Sequence, residues 1–166
     1  MTSIPKLTKM KDLSIAEVAY QPNNPDYQEL IQEKLKGQAF MKHLGMELTK
    51  VQPGYVEAEL PASDFILQQD GFLHGGVTAT LADIACGFAA FSLAFPGQRV
   101  VTADLNIQYF TIGNGVKYKA VGKVNKPGKR MHFCDAFIYA VDASGTEKLI
   151  AQARSIMAAF YPSKTS

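Results

Sequence analysis

Residues 76–95 constrain the fold of this chain more than any other segment. They read GVTATLADIACGFAAFSLAF, an apolar run with a single charge at Asp83. The run is long enough to span a bilayer, but an aspartate near the middle of a span costs roughly 2.5–3.5 kcal/mol on insertion scales. It is also rich in Ala and Gly, and no basic cluster flanks either end. We therefore predict a helix that protein buries on all sides rather than a membrane span.

The sequence that follows this helix predicts antiparallel strands. Over residues 101–109 apolar and polar residues alternate strictly, which is typical of a strand with two different faces. Turn-forming sequences then separate three further predicted strands: 116–124, 131–141 and 148–161. Because the connecting turns are short, the four strands are predicted to form an antiparallel meander.

Two more elements are predicted before the long helix. Asp26 is a suitable N-cap for a helix that ends near Lys42. Residues 46–60 predict a hairpin that turns at Gln52-Pro53-Gly54. The predicted fold class is therefore α+β, with an antiparallel sheet of five or six strands wrapped around the long helix.

The overall composition predicts one ordinary globular domain, 26–166, preceded by an N-terminal extension, 1–25. Apolar residues make up 47% of the chain, charged residues 19%, and the net charge of +2 does not favour a dedicated nucleic-acid binder. Cys86 and Cys134 lack CxxC spacing, and no histidine pair has the spacing of metal ligands. We expect a reduced, cytoplasmic protein without a structural metal, since the N-terminus also lacks the apolar core of a signal peptide.

The segment Gly71–Gly76 has the composition of a ligand-binding turn at a helix start. It reads GFLHGG, and glycines at a helix entrance let a ligand approach the backbone closely. The first N–H groups of a helix have no internal partner and carry partial positive charge, so they suit an oxyanion such as that of an attacked thioester. The alternative is a tight turn in which His74 only caps the helix or packs.

Asp83 is the second candidate for chemistry. An unpaired carboxylate in an apolar helix is costly, and aspartate is a poor residue for a helix interior. One interpretation is a structural carboxylate satisfied by a nearby Thr, Lys or Arg. The other is a base or nucleophile with a raised pKa.

The spacing of these two candidates predicts an assembly. Gly75 and Asp83 are eight residues apart, which is roughly 12 Å along a helix. One carbonyl carbon cannot be reached by both groups of the same chain. Two such helices packed antiparallel about a two-fold axis would bring Asp83 of one chain to Gly75 of the other and create two identical sites.

A basic stretch lies between Asp104 and Asp135, where the sequence has no acidic residue. Its cationic residues are Lys117, Lys119, Lys123, Lys126, Lys129 and Arg130. They could be solvated strand residues that protect a sheet edge. They could also bind the phosphates of a ligand such as coenzyme A, with the turn of Lys126, Lys129 and Arg130 as the best-suited part.

Taken together, these motifs resemble those of a known enzyme family. The pattern Gly71-x-x-His74-Gly75-Gly76, followed by Leu81-Ala82-Asp83, is similar to the signature of hotdog-fold acyl-CoA thioesterases of the phenylacetate-degradation (PaaI-like) type. The strand VTADLNIQY at 101–109 also resembles the central strand of that family. The resemblance covers roughly residues 40–160 and implies a hotdog fold.

The resemblance also implies a role for each matching residue. The Gly75 N–H would polarise the thioester carbonyl, and His74, with Gly76 beside it, would orient the turn and substrate. Asp83 of the facing subunit would be the nucleophile or general base, and Thr102 would position water. The family further implies a dimer, often paired into a tetramer, with coenzyme A as part of the substrate and no separate cofactor or metal.

One position departs from the family pattern. Many members have an asparagine six residues before the histidine, where this chain has Gln68. Glutamine keeps the amide but is one methylene longer, which bears on rate and substrate choice more than on reaction class.

The main hypothesis is therefore an acyl-CoA thioesterase that acts on a small or medium acyl group. The alternative, which Gln68 favours, is a non-catalytic acyl-CoA-binding or regulatory hotdog protein. A third hypothesis, a hydratase or dehydratase, would need a histidine paired with a carboxylate, and His74 and Asp83 are wrongly spaced for such a pair within one chain.

Overall fold

The computed structural model describes residues 20–163, which form three α-helices, six strands and one short 3-10 turn. In chain order the elements are α1 (Tyr27–Gly37), α2 (Ala39–Leu44), β1 (Glu47–Gln52), β2 (Tyr55–Pro61), the 3-10 turn (Asp64–Ile66), α3 (Gly75–Phe91), β3 (Arg99–Tyr109), β4 (Lys117–Lys126), β5 (Met131–Val141) and β6 (Glu147–Phe160).

The six strands form one antiparallel sheet in the order β1-β2-β4-β5-β6-β3. Helix α3 contacts every strand from β2 to β6, so the apolar run predicted from the sequence lies in the centre of the core. This architecture confirms the predicted α+β class and the sheet wrapped around a long helix. Within residues 20–163 no helix is both long and apolar enough to cross a membrane.

The predicted meander of four strands is wrong in one respect. β4, β5 and β6 do form a meander, but β3 pairs with β6 at the sheet edge, while β4 pairs with β2. The segment between β3 and β4 crosses the end of the sheet, where Gly113 accepts a backbone hydrogen bond from Leu73 and Ile150 accepts one from Phe110. These distant contacts override the local turn signal of Gly113-Asn114-Gly115.

The helix predicted from Asp26 to near Lys42 is two helices. Asp26 occupies the N-cap position of α1, although its side chain makes no capping hydrogen bond. Helix α1 ends at Gly37, and Gln38 has non-helical dihedral angles (φ −84°, ψ 78°) before α2 begins. The Gln38 N–H donates to the Leu35 carbonyl at 3.1 Å, which tightens the last turn, and Gly37 has a low helix propensity.

Residues 20–24 of the predicted extension contact the folded domain. The Tyr20 hydroxyl donates to the Asn125 carbonyl at 3.0 Å, and the Asn23 amide donates to the Leu93 carbonyl at 2.6 Å. Residues 1–19 lie outside the described residues. The boundary at residue 25 stays a prediction.

Helix α3 packs closely against β4 at Gly122, a residue without a side chain. A Cβ atom at Gly122 would lie 2.4 Å from the Ala85 carbonyl oxygen, so only glycine lets helix and strand approach this closely.

The opposite face of α3 is less covered than predicted. Within the single chain its half-buried or exposed residues follow one side of the helix, namely Gly75, Gly76, Val77, Ala79, Thr80, Asp83, Ile84 and Gly87.

His132 is a buried histidine without a hydrogen-bond partner. It lies on β5 opposite Met157 of β6, is 1% exposed, and neither ring nitrogen has a partner among residues 20–163. Burial lowers the pKa of the His132 imidazole, because the charged form loses its hydration. The folded chain therefore holds this ring neutral.

We expect His132→Leu to stabilise the fold below neutral pH. The unfolded chain takes up a proton at the ordinary histidine pKa of about 6.5, whereas folded His132 resists it, so wild-type stability falls as pH decreases below that value. Leucine removes both this loss and two unpaired polar atoms. Thermal unfolding measured from pH 8 to pH 5 should show a higher Tm for the variant, most clearly at pH 5, while exposed His43→Gln should follow wild type. A variant with the wild-type slope, or a lower Tm throughout, would contradict this expectation.

Candidate active site

His74 forms the entrance to α3. It is the N-cap residue, and its Nδ1 accepts a hydrogen bond from the Gly76 N–H at 2.9 Å. Because Nδ1 accepts, the neutral ring in this arrangement carries its proton on Nε2. The His74 backbone is also anchored, since its N–H donates to the Ile66 carbonyl at 3.0 Å. His74 therefore caps α3, which is one of the alternatives that the sequence left open for it.

The Gly75 N–H is the open donor of this turn. The Gly76 N–H is occupied by His74, whereas the Gly75 N–H has no hydrogen-bond partner among residues 20–163. It lies at the positive end of a 17-residue helix. This is the arrangement expected of a group that stabilises an oxyanion.

Tyr109 contacts the peptide group between Gly75 and Gly76, and it is not among the site residues predicted from the sequence. Its hydroxyl donates to the Gly75 carbonyl at 2.9 Å from the last residue of β3. No local pattern indicates this contact, because it depends on β3 packing across the start of α3.

An open cleft surrounds this turn, and we call it the glycine cleft. It has a volume of about 370 Å³ and is lined by Gln68, Phe72, Leu73, Gly75, Thr78, Tyr109, Phe110, Thr111, Ile112, Gly113 and Ile150. Gln68, the residue that departs from the family pattern, lies in a turn held by its own backbone. Its N–H donates to the Phe72 carbonyl at 2.8 Å, and its carbonyl accepts from the Gly71 N–H at 2.9 Å.

Asp83 lies on the less covered face of α3 and is half-buried in the single chain. The Thr102 hydroxyl donates to its Oδ1 at 2.5 Å, while Oδ2 has no hydrogen-bond partner among the described residues. A carboxylate satisfied by a nearby threonine was one interpretation of the sequence, and this contact is of that kind. It occupies only one oxygen, so the other remains available for chemistry.

A β-bulge in β3 allows this contact. Thr102 pairs with Met157 and Asp104 pairs with the adjacent Ile156, so Ala103 is an extra residue in the ladder. Strict alternation would place Thr102 on the face opposite to Leu105 and Tyr109. Because of the bulge, Thr102 and Tyr109 both contact α3.

A second cleft surrounds Asp83, and we call it the aspartate cleft. It has a volume of about 350 Å³, and its walls are mostly apolar, with two cationic side chains. Its lining residues are Lys34, Gln38, Asp83, Ile84, Gly87, Phe88, Phe91, Arg99, Val100, Val101, Thr102, Met157 and Phe160. The two clefts share no lining residue, so one chain does not bring Asp83 to Gly75.

The basic stretch divides into paired and unpaired residues. Lys117 contacts Glu59 at 2.8 Å, and Lys119 contacts Glu57 at 3.0 Å and Glu147 at 3.2 Å. These contacts fit the structural interpretation of the strand lysines. Lys123 lies over the Phe137 ring.

The turn that carries Lys126, Lys129 and Arg130 is exposed and lines neither cleft. It is attached to the start of β3, because the Gln98 amide donates to the Lys129 carbonyl at 3.0 Å. The neighbouring residue Arg99 does line the aspartate cleft. The backbone of this turn is therefore joined to the residue that precedes Arg99.

Cys86 lies one helical turn after Asp83 but is unsuited to act as a nucleophile. A hydrogen bond to Cys134, together with burial, raises the pKa of the Cys86 thiol well above its usual range. The thiol is fully buried and stays protonated near neutral pH. Asp83 is therefore the better candidate on this part of the helix.

Comparison with known proteins shows which family this chain belongs to. The model of the thioesterase superfamily matches residues 70–145, which include the His74 turn, Asp83 and Thr102. A crystal structure of a thioesterase family protein from Silicibacter pomeroyi is 31% identical, covers 82% of this chain and 99% of that one, and superposes with a TM-score of 0.79. The chain belongs to the thioesterase superfamily.

Two further relatives refine the comparison. The proofreading thioesterase EntH of Klebsiella pneumoniae is 39% identical over 64 residues, a match that spans 39% of this chain and 47% of that protein. The E. coli PaaI protein from the phenylacetic acid degradation operon shares the fold, with a TM-score of 0.72 and 21% identity over 81% of this chain and 94% of that one. The predicted thioesterase family is confirmed, and the likeness to PaaI confirms the predicted hotdog fold.

Proposed function

We propose that this protein hydrolyses the thioester of a small or medium acyl-CoA to a free acid and coenzyme A. One observation supports this proposal above the others. The chain has an open N–H at the start of α3 and a carboxylate held by one oxygen in the middle of the same helix, and it keeps them in separate clefts. A second copy can supply the missing half of each site.

In the proposed dimer, the glycine cleft of one chain faces the aspartate cleft of the other. The thioester oxygen accepts the Gly75 N–H, which makes the carbonyl carbon more electrophilic and stabilises the negative charge that develops on oxygen. Asp83 of the facing chain attacks that carbon or removes a proton from a water that attacks it. The C–S bond breaks, and the thiolate takes up a proton to leave as free coenzyme A. Where water attacks, the free acid forms in this step. Where Asp83 attacks, the acyl group remains on its carboxylate as an anhydride, and water then hydrolyses the anhydride to release the acid and restore Asp83.

Several features of the described residues support the dimer. The less covered face of α3 contains Asp83, and small residues such as Gly76, Ala79 and Gly87 would let a second helix approach closely. β3 is an edge strand, so its outer backbone groups are free to pair with another copy. Pairing of two such dimers would give the tetramer that the resemblance implies.

Each part of the substrate has a suitable surface in this arrangement. The apolar side chains of the aspartate cleft, including Phe88 and Phe91, fit an acyl group of limited size. Lys126, Lys129 and Arg130 would bind the phosphates of coenzyme A beside Arg99. The proposed reaction needs no added cofactor, since Asp83 and the Gly75 N–H supply the base and the electrophilic assistance. The free, buried Cys86 and Cys134 fit the reducing cytoplasm that we propose as its location.

Mixed dimers test the proposal directly. Gly75→Pro removes the N–H, Asp83→Asn removes the carboxylate, and each variant alone should release little thiol from a panel of acyl-CoAs. After the two variants are unfolded together and refolded, random pairing yields about one half mixed dimers, each with one intact site. Activity should return to about a quarter of that of refolded wild type, measured by free-thiol release.

Three results would count against the proposal. Absence of thiol release by wild type with every acyl-CoA would contradict the hydrolase. Absence of recovery in the mixture, when size-exclusion chromatography shows dimers, would contradict the shared site. An active monomer would also contradict it.

The alternative is a non-catalytic protein that binds acyl-CoA, which Gln68 in the glycine cleft favours. It predicts saturable binding by calorimetry without thiol release. Gln68→Asn separates the two possibilities, because a slow enzyme should gain rate from the shorter amide. A hydratase is disfavoured, since no described histidine contacts Asp83 and the buried His132 has no hydrogen-bond partner among residues 20–163.

A further inference from the structure

The peptide group between Gly75 and Gly76 is held at both ends by side chains. Tyr109 donates its hydroxyl proton to the carbonyl oxygen at 2.9 Å, and His74 Nδ1 accepts the amide proton at 2.9 Å. Hydrogen bonds in such a chain polarise one another, so each strengthens the next.

We propose that Tyr109 is a positioning residue for the Gly75 N–H, an inference that rests on the proposed function. The Gly75 N–H and carbonyl flank one Cα atom that carries no side chain, so two soft dihedral angles separate them. Holding the carbonyl at Tyr109 narrows the range of these angles. The free N–H is thereby aimed before substrate arrives.

The surroundings of Gly75 support this role. Apart from its chain neighbours and its own helix backbone, the atoms nearest to the position of a Cβ atom at Gly75 all belong to Tyr109, the first of them at 3.7 Å. Tyr109 is 53% exposed in the single chain, and its hydroxyl is nonetheless committed to a backbone acceptor rather than left to solvent. The hydrogen bond to the Gly75 carbonyl explains why a large aromatic side chain stands at this exposed position.

Strand β3 contacts both of the groups that one chain contributes, each to a different site of the proposed dimer. Thr102 near its start holds Asp83, and Tyr109 at its end holds Gly75. The bulge at Ala103 puts both side chains on the helix face. One strand therefore contacts both groups that each chain contributes to catalysis in the proposed dimer.

Tyr109→Phe in the full chain tests this inference, because it removes the hydroxyl and keeps the ring. We expect kcat to fall about tenfold, the size associated with one lost hydrogen bond, with KM within about twofold of wild type and an unchanged oligomeric state. Tyr139→Phe deletes the same atom at a tyrosine that lines neither cleft, and its kcat should stay within about twofold of wild type.

A second measurement does not depend on activity. Amide hydrogen exchange over residues 74–78, without ligand, should be about two- to tenfold faster in Tyr109→Phe and unchanged in Tyr139→Phe. Faster exchange with an inactive wild type would support Tyr109 as the anchor and contradict the hydrolase. Unchanged exchange, a kcat within twofold of wild type, or a rise in KM with constant kcat would overturn the proposal for Tyr109.

Discussion

Asp83→Asn is expected to lower kcat for acyl-CoA hydrolysis by about 10²–10⁴-fold, the range associated with loss of a general base. Asparagine has almost the same shape, and its carbonyl oxygen can still accept the Thr102 hydroxyl. The substitution therefore removes the charge and basicity of the group while keeping the contact that holds it. Free-thiol release under saturating substrate measures the change, and the Tm should stay close to that of wild type.

Asp104→Asn is a suitable control for this loss. Asp104 is an exposed carboxylate two residues after Thr102 on the same strand, and it lines neither of the two clefts. Its variant should keep the wild-type kcat. If Asp83→Asn folded normally and retained more than a tenth of wild-type kcat, the assignment of Asp83 as base or nucleophile would be wrong.

Gly75→Pro is expected to lower kcat by about 10²–10³-fold, the cost of removing one oxyanion donor. Gly75 is the first residue of α3, where proline is well tolerated because its fixed φ angle suits the helix and no intrahelical N–H bond is lost. The preceding residue, His74, has extended dihedral angles (φ −65°, ψ 134°), which are compatible with a following proline. The substitution thus deletes the donor and spares the helix.

Gly75→Ala provides the matched control because it adds a side chain and keeps the N–H. The added Cβ would lie 3.7 Å from Tyr109, an ordinary contact, so we expect kcat within a few-fold of wild type. Equal losses in the alanine and proline variants would show that crowding, and not the N–H, explains the effect. Circular dichroism at 222 nm checks that α3 persists in both.

Much of the fold could be predicted from residue patterns alone. The apolar run around Asp83 predicted α3, because a helix surrounded by protein needs no polar face, and the alternation in 101–109 predicted β3. The distance between Gly75 and Asp83 could be predicted from the rise per residue of an α-helix, and in the structure the two residues line different clefts. These features depend on local periodicity and length.

Other features depend on packing between distant segments and left no local signal. The bulge at Ala103 lies inside a segment of perfect alternation, so no residue pattern indicated that Thr102 would turn toward α3, and only the family resemblance pointed to this residue. The edge position of β3 and the contact of Tyr109 with Gly75 depend on which strands pair. The segment 113–115 resembles a hairpin turn in sequence, but the tertiary hydrogen bonds that place it, from Leu73 to Gly113 and from Phe110 to Ile150, are nonlocal.

The bulge in β3 sets the spacing in sequence between the two residues that this strand directs at α3. Thr102 and Leu105 are three residues apart in the chain, but they pair with Met157 and Ser155, which are two residues apart on β6. Deletion of Ala103 would restore regular pairing and leave the threonine hydroxyl on the face of α3, whereas a regular strand that kept all of its residues would turn that hydroxyl to the outer face, away from Asp83. In related sequences the spacing between these two positions therefore indicates whether the strand is bulged.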